Sequence, residues 1–143
     1  MKGLQIKIAK DSKEIKDCLG VRYQVFTLEQ GINENQDKDG LDESSDHIIA
    51  YYNKNPSGTA RIKYIDGKAK LERMAVLKSQ RGKNIGAEML KFIINYCRNK
   101  KIKGIYFHSQ EHAKNFYEKS GFKIRGKTFE EVGVPHVEMF MKL

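Results

Sequence analysis

Residues 71–90 read LERMAVLKSQRGKNIGAEML and hold the clearest chemistry in the chain. A strand-like run leads into RGKNIG, and a long amphipathic stretch follows at once. Such a junction aims free backbone N–H groups and the positive end of a helix at one spot, which suits a pyrophosphate or a similar anion. Arg81 and Lys83 add positive charge, and Gly82 and Gly86 let the backbone come close to a ligand. The segment matches neither G-x-x-x-x-G-K-S/T nor G-x-G-x-x-G, which excludes a P-loop and a dinucleotide fingerprint. Taken alone, it fits an ordinary strand-to-helix turn as well as a phosphate cradle.

Two further clusters imitate metal sites. Residues 35–46, NQDKDGLDESSD, fall nearly in register with a calcium loop, with Asn35, Asp37 and Asp39 first, Gly40 at the turn and Asp46 last. Three details oppose that reading: Asn stands at the first position, Asp42 replaces the usual small apolar residue, and Asp46 is shorter than the usual bidentate Glu. A calcium loop also joins two helices, whereas HIIAYY after this one alternates like a strand. HSQEH (108–112) has the spacing of a zinc motif that needs both histidines on one helix. Here His108 reads as the end of a strand and Ser109 as a helix cap, so no metal is expected. Gln110, at the start of that helix, is read as a substrate or structural contact.

The elements that must position these residues follow from periodicity. LQIKIAK (4–10) alternates apolar and polar residues, as a half-buried strand does. DSKEIKDCLGVRYQVFTLEQG reads as a helix, capped by Asp11 with Glu14 three residues on, and Gly20 marks a break or close contact within it. Residues 31–46 read as loop. HIIAYY and GTARIKYI form a hairpin across NKNPSG, and GKAKLERMAVL adds a third strand after Asp66-Gly67. GAEMLKFIINYCRNK is an amphipathic helix with Met89, Leu90, Ile93, Ile94 and Cys97 on one face. IKGIYFH is a strand, SQEHAKNFYEKSG a helix ending at Gly121, and FKIRGKTF and VPHVEMFMKL close the chain as strands. The order β-α-loop-β-β-β-α-β-α-β-β is a mixed α/β (α+β) arrangement, a sheet with helices on its faces.

The 143 residues suit one domain, residues 1–143, with one core. No apolar run is long enough to span a bilayer. The lysine-rich start lacks the apolar core of a signal peptide, and Cys18 and Cys97 lack a C-x-x-C spacing; a cytoplasmic protein with reduced thiols is expected. The net charge of +9 is uneven: residues 29–46 hold seven carboxylates against Lys38 alone. Two surfaces of opposite sign imply two kinds of partner: nucleic acid or a phosphorylated cofactor on the basic one, a metal or a cationic substrate on the acidic one. The basic run RNKKIK (98–103) comes without a helix-turn-helix, zinc finger or RNP-like run, so nucleic acid is not expected.

The sequence resembles the GCN5-related N-acetyltransferases, the GNAT superfamily. Their hallmark, R/Q-x-x-G-x-G/A after a strand, is similar to RGKNIG, with Asn84 where the family usually has Gly. Asn tolerates a positive φ better than most residues. NFYEKSGF (115–122) looks like the family's cofactor helix, in the right order and about 30 residues on. VRYQVFTLEQGI with its acidic loop also resembles a bacterial branch, the ElaA and YjcF-like proteins.

The resemblance implies the GNAT fold, a mostly antiparallel sheet splayed in the middle, and transfer of an acetyl group from acetyl-CoA to an amine. Carried over, the main chain of Met74, Ala75 and Val76 would pair with pantetheine, and Arg81, Gly82, Lys83, Asn84, Ile85 and Gly86 would cradle the pyrophosphate. Asn115 would bind the pantetheine arm, and Tyr117 would protonate the leaving thiolate. A charged amine must lose a proton before it attacks, so a base is expected, and Glu72 and His136 are equal candidates. The acidic loop, with Arg22 and Glu29 facing it, would attract a cationic acceptor. An acyl-CoA-binding module without transfer is the alternative that Asn84 keeps open, and a homodimer through the terminal strands suits either reading.

Overall fold

The computed structural model describes residues 1–143. Seven strands form one sheet in the order β1-β2-β3-β4-β5-β7-β6. They are β1 (Leu4–Ile8), β2 (Asp46–Tyr52), β3 (Asn55–Ile65), β4 (Lys68–Val76), β5 (Gly104–Gln110), β6 (Lys123–Glu131) and β7 (Val134–Lys142). All neighbours are antiparallel except β4 and β5. That parallel pair is short, matching only Ala69 with Ile105 and Lys70 with Tyr106. Beyond those residues β4 and β5 diverge, which is the expected splay.

Helix α1 (Ser12–Arg22) starts at a complete capping box: Asp11 accepts from the Glu14 N–H at 2.8 Å, and the Glu14 carboxylate returns to the Asp11 N–H. It continues into a π-helical segment, Tyr23–Glu29. Gly20 lies inside unbroken helix with open space around it, so neither the expected break nor a close contact occurs there. A one-turn helix α2 (Glu34–Asp37) interrupts the expected loop. Helix α3 (Ile85–Asn99) buries Met89, Leu90, Ile93, Ile94 and Cys97, the expected face. On β2, Ile48 and Ala50 join the cluster packed with α3, while Ile49 and Tyr51 join Cys18 of α1. Alternation along the strand therefore sets α1 and α3 on opposite faces.

Two boundaries differ from expectation. Strand β5 runs on to Gln110, so Ser109 is a buried strand residue rather than a cap, and α4 (Lys114–Lys119) begins after a tight turn at Glu111–Ala113. Pairing of Gln110 with His136 holds the strand past the predicted end, an interaction that local sequence does not reveal. The hairpin between β2 and β3 turns at Asn53-Lys54, so NPSG lies in β3.

Candidate active site

The splay gives β4 a free edge. Strand β3 holds its other side, with Gly58 opposite Val76 and Thr59 opposite Ala75. A bulge interrupts that ladder, where Arg73 and Met74 together face Ala60. Arg73 has φ +54, the left-handed region, and a bulge of this kind re-aims the backbone beside a site. Met74, Ala75 and Val76, the expected pantetheine contacts, line a cavity of about 460 Å³ at this edge. Arg81, Gly82, Asn84, Ile85, Gly86 and Phe116 line it too.

The cradle at its mouth has the required backbone. Asn84 caps α3 at φ +66 and ψ 13, the left-handed conformation that a glycine would adopt, and its side chain makes no capping bond. The first N–H groups of a helix lack intrahelical partners, and here no side chain takes them, so they are available to phosphate oxygens. Gly86 allows close packing: a Cβ there would lie 3.0 Å from the Phe116 ring of α4, which would have to shift. The residues present therefore fit an acyl-CoA pyrophosphate and pantetheine arm. Lys83 lies over the Tyr52 ring and donates to Gln80 at 2.9 Å. Asn115 is exposed on the first turn of α4 and lines neither cavity described here.

Arg81 and Glu29, expected at opposite ends of the site, hold each other. The guanidinium donates twice to the Glu29 carboxylate, both at 2.7 Å, and once to the Val76 carbonyl at 3.0 Å. The hydrogen bond from Arg81 pushes the Glu29 carboxyl below its ordinary range. This pair ties the π-helical segment to the phosphate loop, so Glu29 does not face the acidic loop.

A second cavity, about 360 Å³, opens on the other side of the splay. Met74, Ala113 and Tyr117 line both, so the two spaces adjoin at these residues. Phe107 packs on the Tyr117 ring at 4.5 Å and Phe116 at 5.0 Å. Burial pushes the phenol up to about 12, so it stays protonated at neutral pH and can donate. Around the second cavity stand Phe26 and Gln30 from the N-terminal segment, and Glu72, His108, Gln110, Glu131 and His136 from the sheet. The register explains the last four: Gln110 faces His136, and His108 faces Glu138 across β5 and β7. Phe129 faces His136 across β6 and β7, so these residues project from one face of three adjacent strands.

The two base candidates differ in setting. Glu72 meets Arg61 at 2.9 Å, Lys70 at 3.5 Å and Lys63 at 3.6 Å. Burial opposes ionisation, but the Arg61 charge and the two lysines outweigh it and hold the carboxyl below its ordinary range. His136 is 7% exposed, and its Nδ1 lies 2.8 Å from the Val134 carbonyl. A carbonyl can only accept, so in the neutral ring Nδ1 is the protonated nitrogen and Nε2 the one with the lone pair.

The acidic loop is not an open mouth. Asp37 pairs with Arg22 and Arg73, both at 3.0 Å, and Asp39 with Arg61 at 2.7 Å. Asp42 pairs with Arg22 at 2.7 Å and Arg61 at 3.0 Å. Arg22 is 1% exposed and lines neither cavity; it faces the acidic loop through Asp37 and Asp42. The cations that the loop meets are the chain's own arginines. Sequence reading did not assign Phe26, Gln30, His108 or Glu131 to this site; the alternation in FEEVGVPHVEM held the signal for Glu131, which shares a face with His136.

An Acetyltransferase (GNAT) domain model matches residues 12–143. The Bacillus subtilis protein named uncharacterized N-acetyltransferase YjcF is 35% identical over 133 residues, covering 92% of this chain and 95% of that one. Protein ElaA of Escherichia coli is 32% identical over 127 residues, covering 85% of this chain and 82% of that one. The crystal structure of ElaA matches with a TM-score of 0.81 at 26% identity, covering 96% of this chain and 97% of that one. A GNAT family acetyltransferase from Elizabethkingia anophelis, with acetyl-CoA bound, shares the fold at a TM-score of 0.75 and 19% identity, over 100% of both chains.

Proposed function

The chain belongs to the GNAT acetyltransferase family, and we propose that it transfers an acetyl group from acetyl-CoA to a primary amine by direct attack in a ternary complex. The observation that carries this reading is that two cavities adjoin at Met74, Ala113 and Tyr117, whose phenol stays protonated. The cavity beside α3 would hold the cosubstrate. The N–H groups of Ile85, Gly86 and Ala87 would hold its phosphates, and the free edge of Met74–Val76 would pair with its arm. Acetyl-CoA supplies a thioester whose acetyl carbon is open to attack by an amine.

Each remaining task belongs to a residue of the chain. The bulge at Arg73 and Met74 offers backbone N–H to the carbonyl oxygen, where charge gathers during attack. His136 takes the amine proton at Nε2, since Nδ1 already donates to Val134. Glu72, matched by one arginine and two lysines, acts as a counter-ion rather than the base. Tyr117 gives its proton to the departing sulfur.

A thiol-release assay over polyamines, aminoglycosides, amino acids and peptides tests this reading. The wild-type chain should release thiol with at least one amine. Tyr117→Phe should lower turnover about 100-fold while leaving the KM for acetyl-CoA unchanged. Unchanged turnover in that variant removes the acid role, and absence of release with every amine sinks the transfer.

A further inference from the structure

Three carboxylates line the second cavity: Asp37, Glu72 and Glu131. The first two are matched by arginine and lysine, as described. Glu131 is different. The groups nearest its carboxylate are two imidazoles, His108 Nδ1 at 3.4 Å and His136 Nε2 at 3.6 Å. No lysine or arginine reaches it, and its side chain stays 44% exposed. Arg125, on the same strand, turns instead to Glu138 at 2.6 Å. A carboxylate at the cavity wall without a fixed cation favours a cation brought by a ligand.

The turn that presents Glu131 makes an independent case. Three hairpins here use two-residue turns with positive φ at both positions: Asn53-Lys54, Asp66-Gly67 and Val132-Gly133. Asn and Asp suit the first position of such a turn. Val132, at φ +52, does not, because a β-branched residue is strained there. It is 58% exposed, so no core packing accounts for it, and it lines the second cavity. Strain retained at a cavity wall is the kind that function keeps. Val132 gives the wall beside Glu131 an apolar lip.

We propose that Glu131 is the ammonium anchor of the acceptor cavity, selecting a primary alkylammonium whose aliphatic stem lies along Val132. This rests on the transferase reading and names the acceptor class for it. The anchor holds the ammonium beside His136. There an N–H bond breaks, the proton passes to Nε2, and the lone pair left on nitrogen becomes the nucleophile. Cationic selectivity thus comes from one carboxylate at the β6–β7 turn and not from the acidic loop, whose charges are already matched.

The test uses the CoA-bound protein titrated with pentylamine and with 1-pentanol, followed by NMR chemical shifts. The wild-type chain should bind the amine about tenfold more tightly than the alcohol, the effect expected of one charge-assisted contact. Glu131→Gln keeps the shape, so alcohol binding should persist while the preference for the amine disappears. In thiol release, the same variant should raise the amine KM and leave the acetyl-CoA KM unchanged. A preference that survives in Glu131→Gln overturns the anchor, as does a wild-type chain that binds both probes equally. Amine binding that depends on Glu131 without thiol release from any amine sinks the transfer reading while leaving the anchor standing.

Discussion

The acidic loop and the β6–β7 turn both bring carboxylates toward one cavity, yet they differ in what answers them. In the loop, Asp37, Asp39 and Asp42 meet Arg22, Arg61 and Arg73 in a shared, largely buried network. At the turn, Glu131 meets only histidines and solvent. The first set of charges is spent on structure, and the second is left for a ligand. Acidic residues in a sequence therefore give a poor map of negative potential, because buried guanidinium groups from distant strands cancel them. Arg61 shows how full the loop's matching is. It reaches Asp39, Asp42 and Glu72 while its own Nε finds no partner.

Removing that arginine should break the comparison most severely. Arg61→Met leaves Asp39, Asp42 and Glu72 short of their shared cation, and loss of one partner from a buried network costs about 3–5 kcal/mol. Urea denaturation at pH 7 should show that loss. A stability change within about 0.5 kcal/mol, the range of an ordinary surface substitution, would mean that the loop is not held by these pairs.

Acid should reveal the same network more gently. The hydrogen bond from Arg61 holds Asp39 well below the ordinary carboxylate range. Burial works against ionisation of Asp42, but its bonds to Arg22 and Arg61 outweigh that and lower it as well. A carboxyl depressed in the folded state stabilises the protein above its unfolded value, about 3.9 for Asp, and loses that contribution as pH falls through the folded value. The urea midpoint should hold to about pH 5 and then decline toward pH 2. The decline should be shallower in Arg61→Met. Equal acid sensitivity in both proteins would place the effect elsewhere.

The smallest effect belongs to the turn. Val132→Asn relieves a left-handed β-branched residue and should stabilise the chain by about 1 kcal/mol. It also removes the apolar lip, so the amine KM should rise in the thiol-release assay. A gain in melting temperature without any change in KM would leave Val132 as strain with no part in acceptor binding.

Much of the fold was legible because its signals are local. The alternation of LQIKIAK, the Asp11 capping box and the apolar face of α3 each depend on neighbours a few residues away. The strand-to-helix junction before α3 was legible for the same reason, and Asn84 takes the left-handed conformation that its residue type tolerates. Ser109 was misread as a cap because nothing local announces that β5 still has His136 to pair with at Gln110. The pairing of Arg22 with Asp37 and of Glu29 with Arg81 was not legible, because those partners lie 15 and 52 residues away. Glu131 escaped notice because a valine stands where Asn or Asp usually signals a two-residue turn.

By itself, the sequence determined the order of elements, the strand-to-helix junction before α3, the family and the shortlist of reactive side chains. These follow from backbone periodicity and from motif spacing, which the chain carries along its length. Only the tertiary structure decided how the charges are shared. It matched the acidic loop to buried arginines, joined Arg81 to Glu29, and left Glu131 beside His136 without a fixed cation. The physical reason is that an ion pair depends on distance in space, and the splay of β4 from β5 and the register of β5, β7 and β6 set those distances.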